Sequence, residues 1–181
     1  AYSLWFTYQY YEEKEQLNLE VKSNEIINLL KNRMALYEQI LKGAVGLFNA
    51  SNNVSRKEWA TFVKEHKLNE KFKGMQGFGY SEVVLPKNKQ EHEERIKKEG
   101  FPNFKIRPSG QRELYTSIIY LEPFDKRNKR AFGYDMFSEK VRRNAMTKAI
   151  QSGETKLSGK IKLLQEYTQD IQPGFLMYLP V

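Results

Sequence analysis

The amino-terminal part of the chain is a long segment without helix breakers. Residues 3–49 contain no proline, and the first glycine is Gly43. Apolar side chains recur in this segment every seven residues, with further apolar residues between them, which is the spacing of a heptad repeat. The repeating positions are Ile27, Met34, Leu41 and Phe48, interleaved with Leu30, Tyr37 and Ala44. The pattern predicts one helix of about 45 residues, about 70 Å long.

A helix of this length constrains the rest of the fold. A chain of 181 residues cannot cover such a rod with its own core. We therefore expect residues 1–49 to form a stalk that pairs with a second copy of the chain. In a parallel homodimer Ile27, Met34, Leu41 and Phe48 would meet their counterparts along the seam.

The start of the stalk is rich in aromatic side chains. Tyr2, Trp5, Phe6, Tyr8, Tyr10 and Tyr11 lie together before the sequence becomes polar. Such rings are enriched at membrane–water interfaces. The cluster indicates a stalk that begins beside a membrane, in a fragment excised next to a transmembrane helix. An aromatic patch packed on a partner is the alternative. The apolar run that ends at Val181 predicts that the fold continues beyond it.

Residues 50–181 alternate between helix and strand patterns. Three helices are predicted. The first is RKEWATFVKEH, preceded by a capping box of Ser55 and Glu58; the second is KNKQEHEERIKKE; the third runs from its cap Ser138 to Gln151. Strands are predicted at GMQGFGYSEVVL, FKIR, ELYTSIIYLEP, RAFGYD, KLSGKIKLLQ and GFLMYLPV. Strands joined by hairpins, with helices to one side, predict an α+β domain on an antiparallel sheet.

No group of residues predicts catalysis. The chain has no cysteine, which excludes thiolate zinc sites and cysteine nucleophiles. His66 and His92 lie in Lys- and Glu-rich helical sequence, so both are expected at the surface. No pair of carboxylates is placed for acid–base work. We expect no catalytic residue, no metal and no cofactor.

The net charge of +8 is concentrated in one region. Residues 126–148 hold eight Lys or Arg against two Asp or Glu. A solvated loop and helix start are expected there, with contact to phosphate or an anionic membrane as the alternative. Aromatic side chains are not interleaved with these charges, so no nucleic-acid partner is expected. The rival interpretation is a basic coiled-coil nucleic-acid-binding adaptor, which steep salt dependence of duplex binding would reveal.

Asp135 stands where an apolar run gives way to this basic helix. Its carboxylate is placed to accept backbone N–H groups at the helix start, or to pair with Arg142 or Arg143. Either role is structural, because it fixes the angle at which the helix leaves the sheet. A ligand contact is the alternative.

Five stretches resemble, in order and spacing, the CHASE domain, the extracytoplasmic sensor of transmembrane histidine kinases and diguanylate cyclases. They are SRKEWATFVKEH, GMQGFGYSEVV, RELYTSIIYLEP, FGYDMFSEKVRRNAMTKAIQSGETKLSGKIKLL and GFLMYLPV. The resemblance covers about residues 43–181 and is most specific from Gly133 to Gly153. It implies a stalk helix followed by PAS-like subdomains, a transmembrane helix on each side, a dimer through the stalk and no catalysis in this part of the receptor.

The resemblance also implies where a ligand would bind. The aspartate with which plant cytokinin receptors recognise adenine falls on Pro123, with Glu122 beside it. Its loss argues against cytokinin itself. The receptors' threonine contact falls on Ser158, and an apolar contact falls near Met146 or Thr147. Glu122 could replace the aspartate only if a bulge turns its side chain inward. A small organic molecule is expected in the membrane-distal pocket, and these residues leave its class open.

Alternation along ELYTSIIYLEP adds one more residue to the expected pocket. Every second residue of a strand shares a face, and one face carries Leu114, Thr116, Ile118, Tyr120 and Glu122. A hydroxyl, a ring and a carboxylate among apolar residues are typical of small-molecule pockets. We expect Tyr120 and Glu122, with Ser158, to line the pocket of a sensor that signals through its stalk.

Overall fold

The computed structural model describes residues 2–72, 74–163 and 173–181. The chain divides into two compact units, Ala1–Gly43 and Ala44–Val181. The described residues combine one long helix with short helices and small antiparallel sheets. The α+β class predicted from the sequence is confirmed.

Helix α1 spans Tyr2–Asn49, as the absence of proline predicts. Its large apolar side chains are exposed along most of the first unit: Trp5, Tyr8, Tyr10, Tyr11, Leu17, Leu19, Val21, Ile26, Ile27, Leu29, Leu30 and Leu36. Met34 and Leu41, at heptad positions, are partly exposed. Among the described helices, none combines the length and the apolar character that crossing a bilayer requires.

The second unit contains four further α-helices within the described residues: α2 (Arg56–Glu65), α3 (Leu68–Lys71), α4 (Lys89–Lys98) and α5 (Lys140–Ser152). Short 3-10 helices occupy Pro86–Asn88, Asn128–Arg130 and Met136–Ser138. The strands are β1 (Phe78–Val84), β2 (Tyr115–Glu122), β3 (Lys156–Leu157), β4 (Ile161–Lys162), β5 (Pro173–Gly174) and β6 (Met177–Tyr178).

The two predicted helix starts have different outcomes. At α2 the capping box is confirmed: Ser55 Oγ accepts from the Glu58 N–H, and the Glu58 carboxylate accepts from the Ser55 N–H at 2.7 Å. At α5 the predicted cap Ser138 is wrong. Ser138 ends a 3-10 helix, and the cap is Glu139, whose carboxylate accepts two backbone N–H groups of the first turn. A side chain that reaches both groups satisfies two donors where a serine satisfies one.

Strands β1 and β2 form an antiparallel ribbon, paired from Phe78↔Glu122 to Val84↔Tyr115. The register shifts between Tyr80 and Ser81, and the guanidinium of Arg56 donates to the carbonyl of Ile119 on the facing stretch of β2. A Cβ at Gly79 would lie 2.7 Å from the carbonyl oxygen of Tyr120. A glycine at this position therefore permits the close approach of the two strands.

The predicted strands FKIR and RAFGYD are wrong as strands. Each contributes single bridges instead: Arg107 pairs with Tyr134, and Asp135 pairs with Ser117 of β2. Gly133 has φ +79°, and a Cβ there would lie 2.7 Å from the Lys105 carbonyl oxygen. A left-handed residue in such a close contact interrupts an extended strand.

The carboxy-terminal sheets are small. Strand β3 pairs with β6 and β4 pairs with β5, two residues on each side. The predicted strand KLSGKIKLLQ is thus split into β3 and β4, and its end beyond residue 163 lies outside the described residues.

The core of the second unit is aromatic around Trp59, which is 2% exposed. Its indole stacks on Phe78 with ring centroids 5.2 Å apart and on Tyr120 at 6.0 Å. Phe48, in the last turn of α1, stacks on Tyr80 at 4.3 Å and lies 5.9 Å from Trp59. These rings fix α2 and the end of α1 against the β1–β2 ribbon.

Candidate ligand-binding site

A cavity of about 380 Å³ lies between α2, α3, the start of β1 and the end of β2, and we call it the α2–β2 cavity. It is lined by Ala60, Val63, Lys64, Lys67, Leu68, Glu70, Met75, Gly77, Phe78, Glu122 and Pro123. Its volume falls within the range of small-molecule sites.

The floor of the cavity is apolar and held in place by the core. Val63, Leu68 and Phe78 are buried, with 5–7% of their surface exposed. Phe78 is fixed by its stack on Trp59, whose ring planes differ by 1°. The helical wall is interrupted between α2 and α3 at Lys67, which adopts a left-handed backbone conformation with φ +48°. A non-glycine residue in this conformation is uncommon and concentrates at functional turns.

The rim of the cavity carries both signs of charge. Lys64, Lys67 and Glu70 come from the helical side, and Glu122 comes from the end of β2. One carboxylate oxygen of Glu122, Oε2, accepts a hydrogen bond from the Phe124 N–H at 3.1 Å. This bond orients the carboxylate and leaves its second oxygen for another donor.

Tyr120 is buried behind the cavity rather than in its lining. All residues of β2 from Tyr115 to Leu121 are buried, so both faces of the strand are covered. The Tyr120 hydroxyl donates to the carbonyl of Val54 at 2.7 Å. Burial, with the charge of Glu99, raises the pKa of this hydroxyl.

The remaining residues of the expected ligand set lie on other elements. Ser158 is buried; its Oγ accepts from the Leu176 N–H and donates to the Gly159 carbonyl, both at 2.8 Å. Met146 and Thr147 are partly buried on α5, which packs on β3 and β6. The structure therefore brings Glu122 to the α2–β2 cavity, while Ser158, Met146 and Thr147 lie around α5.

Asp135 is fully buried at the start of a 3-10 helix. Its Oδ1 accepts from the N–H groups of Thr116 at 2.9 Å and Phe137 at 3.1 Å. Its Oδ2 lies 3.4 Å from Nε of Arg112 and has no hydrogen-bond partner among the described residues. Asp135 thus ties this helix to the middle of β2, and the arginine that pairs with it is Arg112 rather than Arg142 or Arg143.

Arg142 and Arg143 have other partners. Arg142 is 5% exposed, donates to the Lys162 carbonyl at 2.8 Å and lies 3.5 Å from the Glu139 carboxylate. Arg143 donates to the Phe137 carbonyl. Both contacts hold α5 to its surroundings, so these side chains are parts of the scaffold.

The family model of the CHASE domain matches residues 52–181, most of the chain. The chain belongs to the CHASE domain family. The resemblance found in the sequence is thereby confirmed. No curated protein matches the chain.

CHASE domains are sensor domains of signalling receptors and are not catalytic. Within the part of the chain that the structure describes, no group of three or more His, Asp or Glu side chains could hold a metal ion. In this CHASE domain the α2–β2 cavity is a candidate ligand-binding site.

The prediction that His92 is exposed is wrong. The side chain is 5% exposed on α4, with Nδ1 3.4 Å from the Glu82 carboxylate and the ring 5.8 Å from Phe104. Burial alone would raise the pKa of Glu82, but the hydrogen bond from His92 and the charge of Arg95 outweigh it and lower that pKa. Glu82 belongs to β1, so the pattern of α4 alone could not reveal this contact. His66 is partly exposed, with Nδ1 2.8 Å from the Phe62 carbonyl oxygen.

Sequence reasoning did not find Lys64, Lys67 and Glu70 at the cavity. They lie in a Lys- and Glu-rich stretch that is typical of a solvated helix surface. The signal that could have found them is the pair of apolar residues Val63 and Leu68, which are separated by charged residues at a break between two helices.

Proposed function

We propose that this CHASE domain is the extracytoplasmic ligand-sensing part of a transmembrane receptor, and that a small molecule binds in the α2–β2 cavity. The observation that carries the proposal is a cavity of about 380 Å³ with an apolar floor and a charged rim. It includes Glu122, which sequence and family resemblance had assigned to a ligand. The output domain would be a histidine kinase or a diguanylate cyclase, as in the receptors that carry such domains.

A chain of stacked rings supports a route from the cavity to the end of α1. Phe78 lines the cavity and stacks on Trp59, and Trp59 lies 5.9 Å from Phe48 in the last turn of α1. Packed rings rearrange in discrete steps rather than deforming continuously. A ligand that prefers one position of α2 against β1 would shift the population of these arrangements and displace Phe48.

The stalk is proposed to receive this displacement as a parallel homodimer. The heptad positions Ile27, Met34 and Leu41 would form the seam, whereas Phe48, predicted there from the sequence, stacks on Tyr80 of its own chain. The exposed seam residues Ile27 and Leu30 support the proposal, because an isolated helix leaves this apolar surface in water. The exposed Trp5 and Tyr8 would lie at a membrane surface, with the domain outside the cytoplasm.

The β1–β2 ribbon with its helices is proposed as part of a PAS-like subdomain. The prediction that Met146, Thr147 and Ser158 contact a ligand stays a second position for the site. It would place the ligand beside α5 rather than beside α2, so variants can separate the two positions.

The test is a thermal-shift screen of small metabolites on the intact chain and on Ala60→Leu, which adds three carbons to the cavity wall. Thr61→Leu, at an exposed position of the same helix, is the matched control. We expect a metabolite that raises the melting temperature of wild type and Thr61→Leu, as binding to the native state requires, and has no effect on Ala60→Leu.

A ligand whose effect survives Ala60→Leu but is lost in Ser158→Ala would move the site to α5. A screen without any stabilising metabolite would contradict the sensing role proposed for this cavity.

A further inference from the structure

We propose that the ligand of the α2–β2 cavity is a zwitterion with an apolar body, of the class of the apolar α-amino acids. The inference rests on the proposed function, since it names the ligand class of that same site. It follows from three features of the cavity: two cations and two carboxylates at the rim, an apolar floor, and a buried acceptor behind the wall.

The charges of the rim match a molecule that carries both signs. Lys64 and Lys67 offer ammonium groups for a carboxylate, and Glu70 and Glu122 offer carboxylates for an amine. A ligand with one charge would use only one of these two sets, whereas a zwitterion would pair with both. Glu122 is the best prepared of the four, because the Phe124 N–H already holds one of its oxygens.

The floor selects the body of the ligand. Val63, Leu68 and Phe78 present carbon atoms only, and they are buried in the core. A polar side chain on the ligand would lose its water there without a hydrogen bond in return. The volume of about 380 Å³ exceeds that of such a molecule, so it could enter whole.

The wall at Gly77 offers a further polar contact. A Cβ at this glycine would lie 3.5 Å from Oδ1 of Asn128. Asn128 is fully buried; its Nδ2 donates to the carbonyls of Gln76 and Pro123, while its Oδ1 has no partner among the described residues. The same Cβ would lie 3.2 Å from Leu121 Cδ1 and 3.4 Å from Asn128 Nδ2, and Gly77 itself lines the cavity. An amine bound at Gly77 would lie on the side of this unpartnered oxygen.

The experiment is isothermal titration of the intact chain at near-physiological salt with L-leucine and L-phenylalanine. Isoamylamine lacks the carboxylate of leucine, and 2-hydroxy-4-methylpentanoate lacks its amine. We expect at least one of the two amino acids to bind. Each single-charge analogue should bind at least about tenfold more weakly, which is the scale of losing one charged hydrogen bond.

Two conservative variants assign the charges. Glu122→Gln is expected to weaken the amino acid about tenfold and to leave the weak binding of the hydroxy acid unchanged, since that analogue has no amine. Lys67→Gln is expected to weaken the hydroxy acid and leave the amine unchanged. Glu65→Gln and Lys57→Gln, at exposed α2 positions that do not line the cavity, are the matched controls.

The failure of this inference is distinct from that of the sensing proposal. If neither amino acid binds, or the analogues bind equally well, the ligand class is wrong. A different metabolite that binds and loses its effect in Ala60→Leu would then leave the sensing role standing. Amino-acid binding that Ala60→Leu does not change would contradict the assignment of this ligand class to the cavity.

Discussion

Large apolar side chains are mostly exposed in residues 1–43 and mostly buried in residues 44–181. In the first unit Leu17, Leu19 and Leu29 are 61–68% exposed. In the second unit Trp59 and Ile96 are at most 2% exposed. Both units follow a regular apolar pattern, so the pattern specifies the element but not what covers it. The second unit covers most of its large apolar side chains with its own chain, whereas the first leaves most of them exposed, which is the basis for the proposed pairing.

Charged side chains also differ in burial between the two units. In the second unit Asp135 and Arg142 are buried and hydrogen-bonded across different elements. In the first unit the Lys42–Glu38 pair, 2.8 Å apart, connects neighbours on one exposed helix face. Buried groups with several partners fix a unique arrangement, while an exposed i,i+4 pair contributes about 0.3–0.5 kcal/mol.

The largest effect is expected in the dimer seam proposed for the first unit. Replacing both Met34 and Leu41 by Lys places four charges in the proposed dimer seam, and sedimentation should change from dimer to monomer at micromolar concentration. The control adds the same charges on the outer face of the repeat, with Asn32→Lys and Gln39→Lys. Equal sedimentation of the two double variants would contradict the proposed dimer seam.

Next in size is the loss of the buried carboxylate in the second unit. Asp135→Ala removes the carboxylate that pairs with Arg112 and the acceptor of the Thr116 N–H, while the Phe137 N–H keeps Thr116 Oγ1 as an acceptor. The change should lower the free energy of unfolding by about 3 kcal/mol in urea. The loss should not depend on protein concentration, because the second unit covers its own core. Glu154→Ala, at a side chain 71% exposed, is the control. A melting temperature equal to wild type, together with lost ligand binding, would give Asp135 a binding role instead.

A pair of glycines sharpens the comparison between packed and open surface. Gly79→Ala should cost about 1–3 kcal/mol, because its methyl group would meet the Tyr120 carbonyl oxygen at 2.7 Å. Gly46→Ala, in α1 with nothing within 4 Å of the new Cβ, should instead stabilise by about 0.5–1 kcal/mol. Urea unfolding of both variants measures the difference, and effects of the same sign would contradict this description of the ribbon.

The smallest effect concerns the cap of α5 and appears only in acid. Burial alone would raise the pKa of Glu139, but hydrogen bonds from the Val141 and Arg142 N–H groups outweigh it and hold that pKa below its ordinary value of 4.5. A lowered pKa contributes stability that is present above pH 4.5 and is lost as the pH falls through the folded-state value.

Thermal unfolding of Glu139→Gln should therefore differ most from wild type near pH 7 and approach it near pH 3. A gap of constant size over this range would show that the charge of Glu139 does not stabilise the cap.

Local signals in the sequence predicted local structure. The absence of proline predicted α1, the Ser55–Glu58 box predicted the start of α2, and β-branched and aromatic residues predicted β2. Contacts between distant segments could not be predicted. Arg112 reaches Asp135 because the segment that holds Asp135 bridges β2 at Ser117, and Glu82 reaches His92 because α4 folds back beside β1.

The candidate site follows the same rule. Glu122 was predicted from its strand and from the family resemblance. The helical side of the cavity was not predicted, because Lys64 and Lys67 lie in a sequence typical of a solvated surface. Only the packing of α3 and the end of β2 places them at the rim of a cavity. Tyr120 was predicted in the pocket because alternation exposes one face, but β2 is covered on both faces.

The central claim is that α1 pairs with a second copy in parallel, while the second unit depends on its own core. The chain has no cysteine, so a single introduced thiol reports on this directly. Ile27→Cys should form a disulfide-linked dimer on mild oxidation, because a parallel dimer places position 27 opposite itself. Asn32→Cys, on the outer face, should remain a monomer on a non-reducing gel. No cross-link at position 27, or equal cross-linking at both positions, would contradict the parallel stalk.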